Sequence, residues 1–333
     1  MNISVIIPTH NRIDELKIAL KSVYTQTVLP HEIIIVDDGS SPRVPDDIFN
    51  KIPSKINYCL LRNETPQGAS KARNRGITKA NGEWIAFLDD DDKFKPEKIE
   101  IVSDAISNNC DADLFYHIAE IHIVNEGIVY FSRKSTKKKK DPFRELLIIN
   151  YVGGTPMVVV KKTSLIEVGC FAEDIHSAED YELWLRMAKN NKKFYLINLP
   201  LTECHYMTVV TRRKNLFSNL DSFYQGKKMI EKIYHCDYQK LSLKEKKQYF
   251  LHKKMGLIHR LLLTNQWRAA IKEQLRVVLM VPSFYSIIVL LSLCLGTKNV
   301  FRLRAWVNWI ESGRSKISSK ASPTDIRNQI YNT

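Results

Sequence analysis

The chain has 333 residues, which is enough for two modest domains or for one domain with an elaborated tail. Its content of 44% apolar and 26% charged residues is typical of a globular protein and excludes a largely disordered chain. The net charge of +14 favours anionic partners such as nucleic acid, lipid head groups or phosphorylated substrates, and the six scattered cysteines show no zinc-ligand spacing.

The first 110 residues alternate between strand and helix patterns. Residues 3–8 are a β-branched run, which predicts a first strand rather than a signal peptide. Continuous apolar strands separated by helices are typical of a parallel sheet covered on both faces, so the pattern predicts an α/β fold. Further strands are predicted at 32–38, 56–62 and 83–90, and helices at 12–26, 68–80 and 95–109.

The pattern changes from about residue 113. Residues 113–133 predict strands with a turn near Asn125–Gly127, and a basic loop follows at 133–141. After about residue 212 the chain has only helical patterns, and its last stretch is polar. Between these regions the sequence predicts a helix at 142–149, a strand at 156–160 and a helix at 178–191.

Residues 277–297 carry no charge and are flanked by cations on both sides. Their length would allow a membrane span, but Pro282 interrupts the segment and favours a bend. Trp306 and Trp309 follow among basic residues, which is an interfacial composition. We therefore expect helices that bind the membrane surface without crossing it; a true span and a soluble helical core remain alternatives.

Polar residues follow three of the predicted parallel strands. They are residues 8–11 after the first strand, 37–40 after the second and 89–92 after the fourth. In open α/β sheets ligands bind beyond the carboxyl ends of the strands, so a site is expected at this edge. The chain has neither G-x-G-x-x-G after its first strand nor a P-loop, which argues against a dinucleotide fold and a P-loop enzyme.

Four consecutive aspartates, Asp89 to Asp92, need a counter-charge. Two unit charges about 6 Å apart repel by roughly 3 kcal/mol at an effective dielectric near 20. A divalent cation that bridges carboxylate and phosphate oxygens would offset this repulsion, and oxygen ligands suit Mg²⁺ or Mn²⁺. Because alternate residues of an extended segment point the same way, Asp89 and Asp91 are expected to face one site and Asp90 to point elsewhere. A solvated loop or helix cap is the alternative.

Two carboxylates begin the amphipathic helix predicted at 178–191. Glu179 and Asp180 lie in its first turn, where the helix dipole favours an ionised carboxylate. A general base for a sugar hydroxyl must be ionised in this way. The alternative is a capping box between Ser177 and Asp180.

Four segments together resemble one enzyme family. They are "VIIPTHNR", "EIIIVDDGS", "GASKARNRGI…ANGEWIAFLDDDD" and "AEDYELWLRMA", in this order. The set resembles family-2 glycosyltransferases of the GT-A fold over roughly residues 1–210. The resemblance implies a Rossmann-like mixed sheet covered by helices. The division expected is a catalytic domain at 1–212 (nucleotide half 1–110, acceptor half 111–212), a helical extension at 213–275, membrane-associating helices at 276–315 and a frayed tail at 316–333.

The resemblance also implies a donor site. Pro8, Thr9 and Asn11 would line the nucleotide pocket, and Asp38 would contact the base. Asp37 would lie nearer the ribose or support the loop, unless residues 37–40 form only a turn.

Arg73 would approach the diphosphate or the aspartate loop, the alternative being an exposed basic helix face. Asp89 and Asp90 would contribute to nucleotide-sugar binding. The family's D-x-D motif maps to Asp89 and Asp91, with Asp91 as the direct ligand of Mn²⁺ or Mg²⁺, and His205 is the candidate for a further metal ligand.

On the acceptor side, the resemblance assigns Asp180 as the catalytic base. It assigns Glu179 and Gly154 to acceptor binding, with a plain turn as the alternative for the glycine. The glycines of the 153–156 loop would let a sugar approach the backbone closely.

The function implied is that of an inverting, metal-dependent hexosyltransferase. It would use a nucleotide sugar, most simply a UDP-sugar, and a glycan acceptor that is lipid-linked, in surface polysaccharide synthesis. The positive charge then predicts an anionic membrane partner at the inner face of the cell membrane, since the chain has no nucleic-acid motif. The alternatives are a Mg²⁺-dependent nucleotidyltransferase and a non-catalytic, nucleotide-binding peripheral membrane protein.

Overall fold

The computed structural model describes residues 1–132, 140–206, 220–294, 296 and 299–303, apart from the side chains of residues 284 and 285. Within these ranges the chain forms one mixed sheet with helices on both faces and a helical extension. The strands are β1 (Ile3–Thr9), β2 (Glu32–Asp38), β3 (Asn57–Asn63), β4 (Trp84–Phe87), β5 (Lys93–Phe94), β6 (Leu114–Ile123), β7 (Ile128–Phe131), β8 (Val158–Lys161) and β9 (Phe194–Tyr206). The helices are α1 (Ile13–Tyr24), α2 (Ala69–Lys79), α3 (Lys98–Asn108), α4 (Pro142–Ile148), α5 (Lys162–Val168), α6 (Glu179–Lys189), α7 (Leu220–Ile233), α8 (His235–Gln239), α9 (Leu243–Leu263), α10 (Trp267–Met280) and α11 (Phe284–Cys294).

The strand order is β3-β2-β1-β4-β8-β6-β9-β5, and β7 pairs with β6. Strands β1 to β4 are parallel, as their continuous apolar sequences predict. Strand β8 runs antiparallel between β4 and β6, which makes the sheet mixed. The mixed sheet covered by helices that the sequence led us to expect is therefore confirmed.

Strand β9 was missed from the sequence. Its pairing with β6 has register shifts on either side of Ile118, which lies opposite Pro200. Proline has no N–H group to donate to the ladder, so the sequence around Pro200 does not show the regular pattern of a central strand. Strand β5, which has only two residues, and helix α5 were also missed.

Two apolar clusters cover the two faces of the sheet. One packs α1 and α3 against the strands, and the other packs α2, α4 and α6 on the opposite face. Helix α2 lies very close to β1 at Gly76, where a Cβ atom would be 2.5 Å from Ile6 Cγ2. Only glycine permits this approach, which brings the polar side chains of α2 to the carboxyl edge of the sheet.

The helical extension packs on the β6 and β7 end of the sheet through a third apolar cluster, which includes Ile121, Phe223 and Leu261. The expected domain boundary at residue 212 and the tail at 316–333 fall outside the described residues and stay predictions. The basic residues 133–139, Trp306 and Trp309 also lie outside them.

The uncharged segment 277–297 is broken near Pro282, as the sequence predicts. Helix α10 ends at Met280 and α11 begins at Phe284. Part of the segment contributes to the helical core, because Val277, Val289 and Leu293 are buried. Among the described residues, no helix is long and apolar enough to cross a membrane.

Candidate active site

The loops after β1 and β2 are joined by hydrogen bonds from backbone N–H groups to side-chain oxygens. Asn11 N donates to Ser40 Oγ at 2.9 Å, and Ser41 N donates to Asn11 Oδ1 at 2.7 Å. Asn11 adopts a left-handed conformation with φ of 56°. Pro8 and Thr9 end β1 directly before this junction. The predicted pocket residues of the first strand therefore lie beside the second strand's acidic loop.

Asp38 holds the loop that enters α2. Its Oδ1 accepts hydrogen bonds from Gln67 N at 2.8 Å and Asn63 Nδ2 at 2.7 Å, and its Oδ2 accepts one from Gly68 N at 2.8 Å. The side chain thus links the end of β2 to the end of β3 and to the loop before α2. Its predicted contact with the base of a nucleotide stays a prediction.

Asp37 is buried and supports the same loop. It accepts hydrogen bonds from Ser40 N at 2.9 Å and Val44 N at 3.1 Å, and it forms an ion pair with Arg62 at 2.5 Å. Burial alone would raise the pKa of Asp37, but these hydrogen bonds and the Arg62 charge outweigh it and lower the pKa. Of the two predicted roles for Asp37, the contacts match the loop-supporting one.

The four aspartates form a turn, since Asp92 N donates to Asp89 O at 3.1 Å. The expectation that Asp90 would point away from Asp91 is therefore wrong, because alternation requires an extended chain. Instead, Arg12 Nη1 contacts Asp90 Oδ1 at 3.1 Å and Asp91 Oδ2 at 2.9 Å. Asp90 also accepts a hydrogen bond from Thr9 Oγ1 at 2.9 Å, which joins the ends of β1 and β4.

Arg12 was not predicted as a site residue. It lies 78 residues before Asp90 in the sequence, and only the neighbouring positions of β1 and β4 in the sheet bring them together. An arginine directly after the first strand's polar residues was the available signal.

The turn carries an excess of buried negative charge. Burial raises the pKa of Asp90 to about 7, although the Arg12 charge opposes the increase. Burial and neighbouring carboxylates also raise the pKa of Asp91 and, more strongly, of Asp92. Carboxylates gathered in one turn would be stabilised by a hard divalent cation, and the oxygens of Asp89 and Asp91 are of the ligand type that such a cation prefers.

His205 reaches the aspartate turn through its backbone, as its N–H donates to Asp92 Oδ1 at 3.1 Å. Its imidazole stacks on His122 with 4.8 Å between ring centroids, and its Nε2 lies 4.0 Å from Glu203 Oε2. Potential ligand atoms of these three residues lie within 4.8 Å of one another, but Lys95 also pairs with Glu203 at 2.5 Å. The predicted role of His205 as a metal ligand beside Asp91 stays a prediction.

Arg73 connects the aspartate turn to helix α6. Its side chain is only 6% exposed, and its two terminal nitrogens contact Asp89 Oδ1 at 2.7 Å and Glu179 Oε1 at 2.8 Å. The alternative of an exposed helix face is wrong for Arg73, although Lys71 and Arg75 on the same helix are exposed. Burial would lower the pKa of Arg73, but the two carboxylates outweigh it and raise the pKa.

Helix α6 begins at Glu179 after Ala178, which adopts a left-handed φ of 64°. The capping box suggested for Ser177 is wrong, because no side chain caps this helix. Asp180 Oδ1 instead accepts a hydrogen bond from Tyr181 N at 2.6 Å. The other carboxylate oxygen of Asp180, Oδ2, is left for other contacts.

The predicted acceptor residues meet at Asp180. A Cβ atom on Gly154 would lie 3.7 Å from Asp180 Oδ2, so the glycine leaves room directly over this carboxylate. Burial, followed by the charge of Glu179, raises the pKa of Asp180 to about 7. A carboxylate with this pKa can accept a proton near neutral pH, as a general base must.

Comparison with known proteins identifies the family. Residues 4–169 match the profile of glycosyl transferase family 2. Over 207 residues the chain is 37% identical to an uncharacterized glycosyltransferase of Haemophilus influenzae, covering 62% of this chain and 69% of that protein. Over 190 residues it is 31% identical to Escherichia coli WfgD, covering 57% of this chain and 70% of WfgD. WfgD is named a UDP-Glc:alpha-D-GlcNAc-diphosphoundecaprenol beta-1,3-glucosyltransferase.

The fold is also found in a crystal structure of S. aureus TarS 1-349, with a TM-score of 0.51 at 18% identity, covering 96% of this chain and 95% of that one. The chain belongs to glycosyltransferase family 2, and it is a glycosyltransferase with the GT-A fold. Its family favours glycosyl transfer over the nucleotidyltransferase and the non-catalytic protein that the sequence left open.

Proposed function

We propose that the enzyme transfers a hexose, with inversion, from a UDP-sugar to a hydroxyl of a lipid-linked glycan in surface polysaccharide synthesis. The observation that carries this proposal is the Arg73 bridge between Asp89 and Glu179. It holds the aspartate turn, which would face the donor diphosphate, against the helix that carries Asp180. The groups proposed for donor and acceptor would thus be held in one site.

In this mechanism Asp180 accepts the proton of the acceptor hydroxyl. The hydroxyl oxygen forms a bond to the anomeric carbon while the bond to the UDP oxygen breaks, so UDP leaves with the bonding electron pair. Two features support Asp180 in this role: the open space beside its Oδ2 at Gly154, and its pKa of about 7. Glu179 is held by Arg73 and would orient the acceptor sugar.

Asp89 and Asp91 are the residues that would hold Mn²⁺ or Mg²⁺. When bound, such an ion would stabilise the negative charge of the departing diphosphate. Arg12 already contacts Asp91 at 2.9 Å, and Arg73 contacts Asp89 at 2.7 Å. Both arginines can therefore orient the aspartate oxygens and add positive charge beside the diphosphate.

The UDP-sugar assignment is supported by the name of WfgD, which states UDP-Glc as its donor. In this chain Pro8, Thr9, Asn11 and Asp38 would bind the nucleoside at the ends of β1 and β2. Their loops are fixed by hydrogen bonds before any ligand arrives. Such a pre-formed site costs little conformational entropy on binding.

The membrane assignment is supported by apolar side chains exposed on α10 and α11. Leu279 is 82% exposed and Met280 is 59% exposed, and Leu291 on α11 is also exposed. With a net charge of +14, this surface would bind an anionic membrane at the inner face of the cell membrane. WfgD acts on an acceptor linked to diphosphoundecaprenol, which a membrane-bound relative could reach.

The proposal is tested by UDP release from the purified enzyme with UDP-glucose and a synthetic GlcNAc-diphosphate-lipid, with Mn²⁺ or with EDTA. We expect UDP release and a new disaccharide lipid only when acceptor and metal are both present. The Asp180→Asn variant controls for contaminating activity. Full activity in EDTA would overturn metal dependence. The donor assignment would be overturned if no UDP-sugar of a panel reacted while another nucleotide sugar did.

A further inference from the structure

The helical extension places one of its helices directly against the start of α6. At Gly226 on α7, a Cβ atom would lie only 2.0 Å from the carbonyl oxygen of Ser177. Glycine is thus required for α7 to approach this backbone. Lys227 follows Gly226 and consequently lies beside the first turn of α6. This turn contains Asp180, three residues after Ser177.

Two cations of the extension lie on this face. Lys227 Nζ lies 3.9 Å from the centre of the Tyr181 ring, and Arg260 Cζ on α9 lies 3.9 Å from the centre of the Phe223 ring. Phe223 and Lys227 are four residues apart on α7 and share one face of that helix. The aromatic rings therefore hold both cations on the side of α7 that faces α6.

The charges of Asp180 and Glu231 act on Lys227, but among the residues that the structure describes neither is at ion-pair distance from it. No carboxylate there forms an ion pair with it, and Glu231, one turn further along α7, contacts Tyr249 and Lys253 instead. Lys227 and Arg260 are both half-buried, with Arg260 Nε itself buried.

The charges of the two cations and Asp180 influence one another. Burial, and then the neighbouring Arg260 charge, lower the pKa of Lys227 to about 8, while Asp180 opposes the change. Burial lowers the pKa of Arg260 to about 10, again opposed by Asp180. A further anion beside either side chain would favour its charged form.

We propose that Lys227 and Arg260 bind the diphosphate of the lipid-linked acceptor. This inference rests on the proposed function, because it assumes an acceptor that carries a diphosphate. In a short acceptor only one sugar ring separates the reacting hydroxyl at Asp180 from the phosphate. Lys227 lies on the ring of Tyr181, the residue after Asp180, and Arg260 lies on Phe223 of the same α7 face. These cations would select phosphate-bearing acceptors over neutral glycans.

The position of the cations favours the acceptor over the donor as the source of the diphosphate. Helices α7 and α9 pack on the β6 and β7 end of the sheet. Of the donor groups, Arg12 lies at the end of β1 and Asp38 at the end of β2. The donor diphosphate is expected beside Arg73 and Asp89. Glu179 contacts Arg73, whereas Tyr181 contacts Lys227, so Asp180 lies between two separate cationic groups.

The test compares the Lys227→Met and Arg260→Met variants with Lys228→Met, a change at the adjacent exposed lysine. Each is assayed with GlcNAc-diphosphate-lipid and with the same sugar on a neutral alkyl group. We expect kcat/KM for the diphosphate acceptor to fall about 10- to 100-fold in the first two variants and to change less than about twofold for the neutral acceptor. Lys228→Met should match the wild type with both acceptors.

Three outcomes would overturn the inference. An equal loss with both acceptors would mean that the cations position Asp180, and a loss of UDP affinity would assign them to the donor. If a variant does not fold, as judged by thermal unfolding, competition in the wild type decides. Inorganic pyrophosphate should compete with the acceptor at saturating UDP-sugar, and the absence of such competition would contradict the inference. Failure of the proposed function is distinguishable, because the wild type itself would then transfer to neither acceptor.

Discussion

Arg73 and Glu179 are 106 residues apart in the sequence, yet their side chains form an ion pair of 2.8 Å. The same guanidinium contacts Asp89 at 2.7 Å. One buried arginine on α2 therefore fixes the distance between the aspartate turn after β4 and the helix that carries the proposed base. Since both carboxylates depend on it, Arg73 contributes to the stability of the fold and to the geometry of the site.

The first prediction concerns this bridge. Arg73→Met leaves two carboxylates without their partner, so we expect the free energy of unfolding to fall by about 3 kcal/mol, as for other broken buried pairs. Arg75→Met, on the exposed side of the same helix, should cost no more than about 0.5 kcal/mol. Urea unfolding of the three proteins measures both values, and equal stabilities would show that the bridge contributes nothing.

The second prediction concerns Asp180. We expect Asp180→Asn to retain UDP binding but to reduce transfer by about 10²- to 10⁴-fold, the usual contribution of a general base. Asp174→Asn, at an exposed position before α6, is the control. A variant with wild-type turnover would show that Asp180 is not the base.

The third prediction concerns pH. Because the pKa of Asp180 is raised to about 7, the carboxylate is protonated below that pH and ionised above it. The rate of transfer should therefore rise with pH, with a midpoint near 7, and then reach a plateau. This rise should be absent from the residual activity of Asp180→Asn. A rate that does not change between pH 5.5 and 8.5, well either side of the pKa of about 7, would contradict the assignment.

The fourth prediction concerns the metal. Asp91→Ala removes a proposed ligand, so the increase in UDP affinity caused by Mn²⁺ should disappear. Asp14→Ala, which removes a largely exposed carboxylate on α1, should leave that increase unchanged. Calorimetric titration of UDP with and without Mn²⁺ measures the effect. If Asp91→Ala kept the full dependence on Mn²⁺, Asp91 would not be a ligand.

The fifth prediction concerns the contact between α7 and the loop before α6. Gly226→Ala places a methyl group 2.0 Å from Ser177 O, so we expect a loss of about 1–3 kcal/mol of stability and a loss of transfer activity. Gly256→Ala on α9 is the matched control. A methyl group there would meet no atom within 4 Å, and alanine should stabilise the helix by about 0.5–1 kcal/mol. Chemical denaturation should give opposite signs for the two changes.

Much of the site was visible in the sequence because it depends on local order along the chain. Apolar runs determine where β1, β2 and β4 lie, and polar residues that end such strands must reach the same edge of a parallel sheet. This reasoning located Thr9, Asp38 and Asp89 without knowledge of the sheet. The first turn of α6 with Asp180 was found in the same way, from helical spacing and the position of the acids.

The tertiary structure alone determined which charges meet. The aspartates turn instead of extending, so Asp90 and Asp91 share Arg12, and the order of strands in the sheet supplies that arginine from a distant part of the chain. Lys227 and Arg260 come from helices whose sequences resemble any solvated amphipathic helix. Periodicity identifies the buried face of an element but not its partner, because the partner is chosen by packing between elements far apart in the sequence.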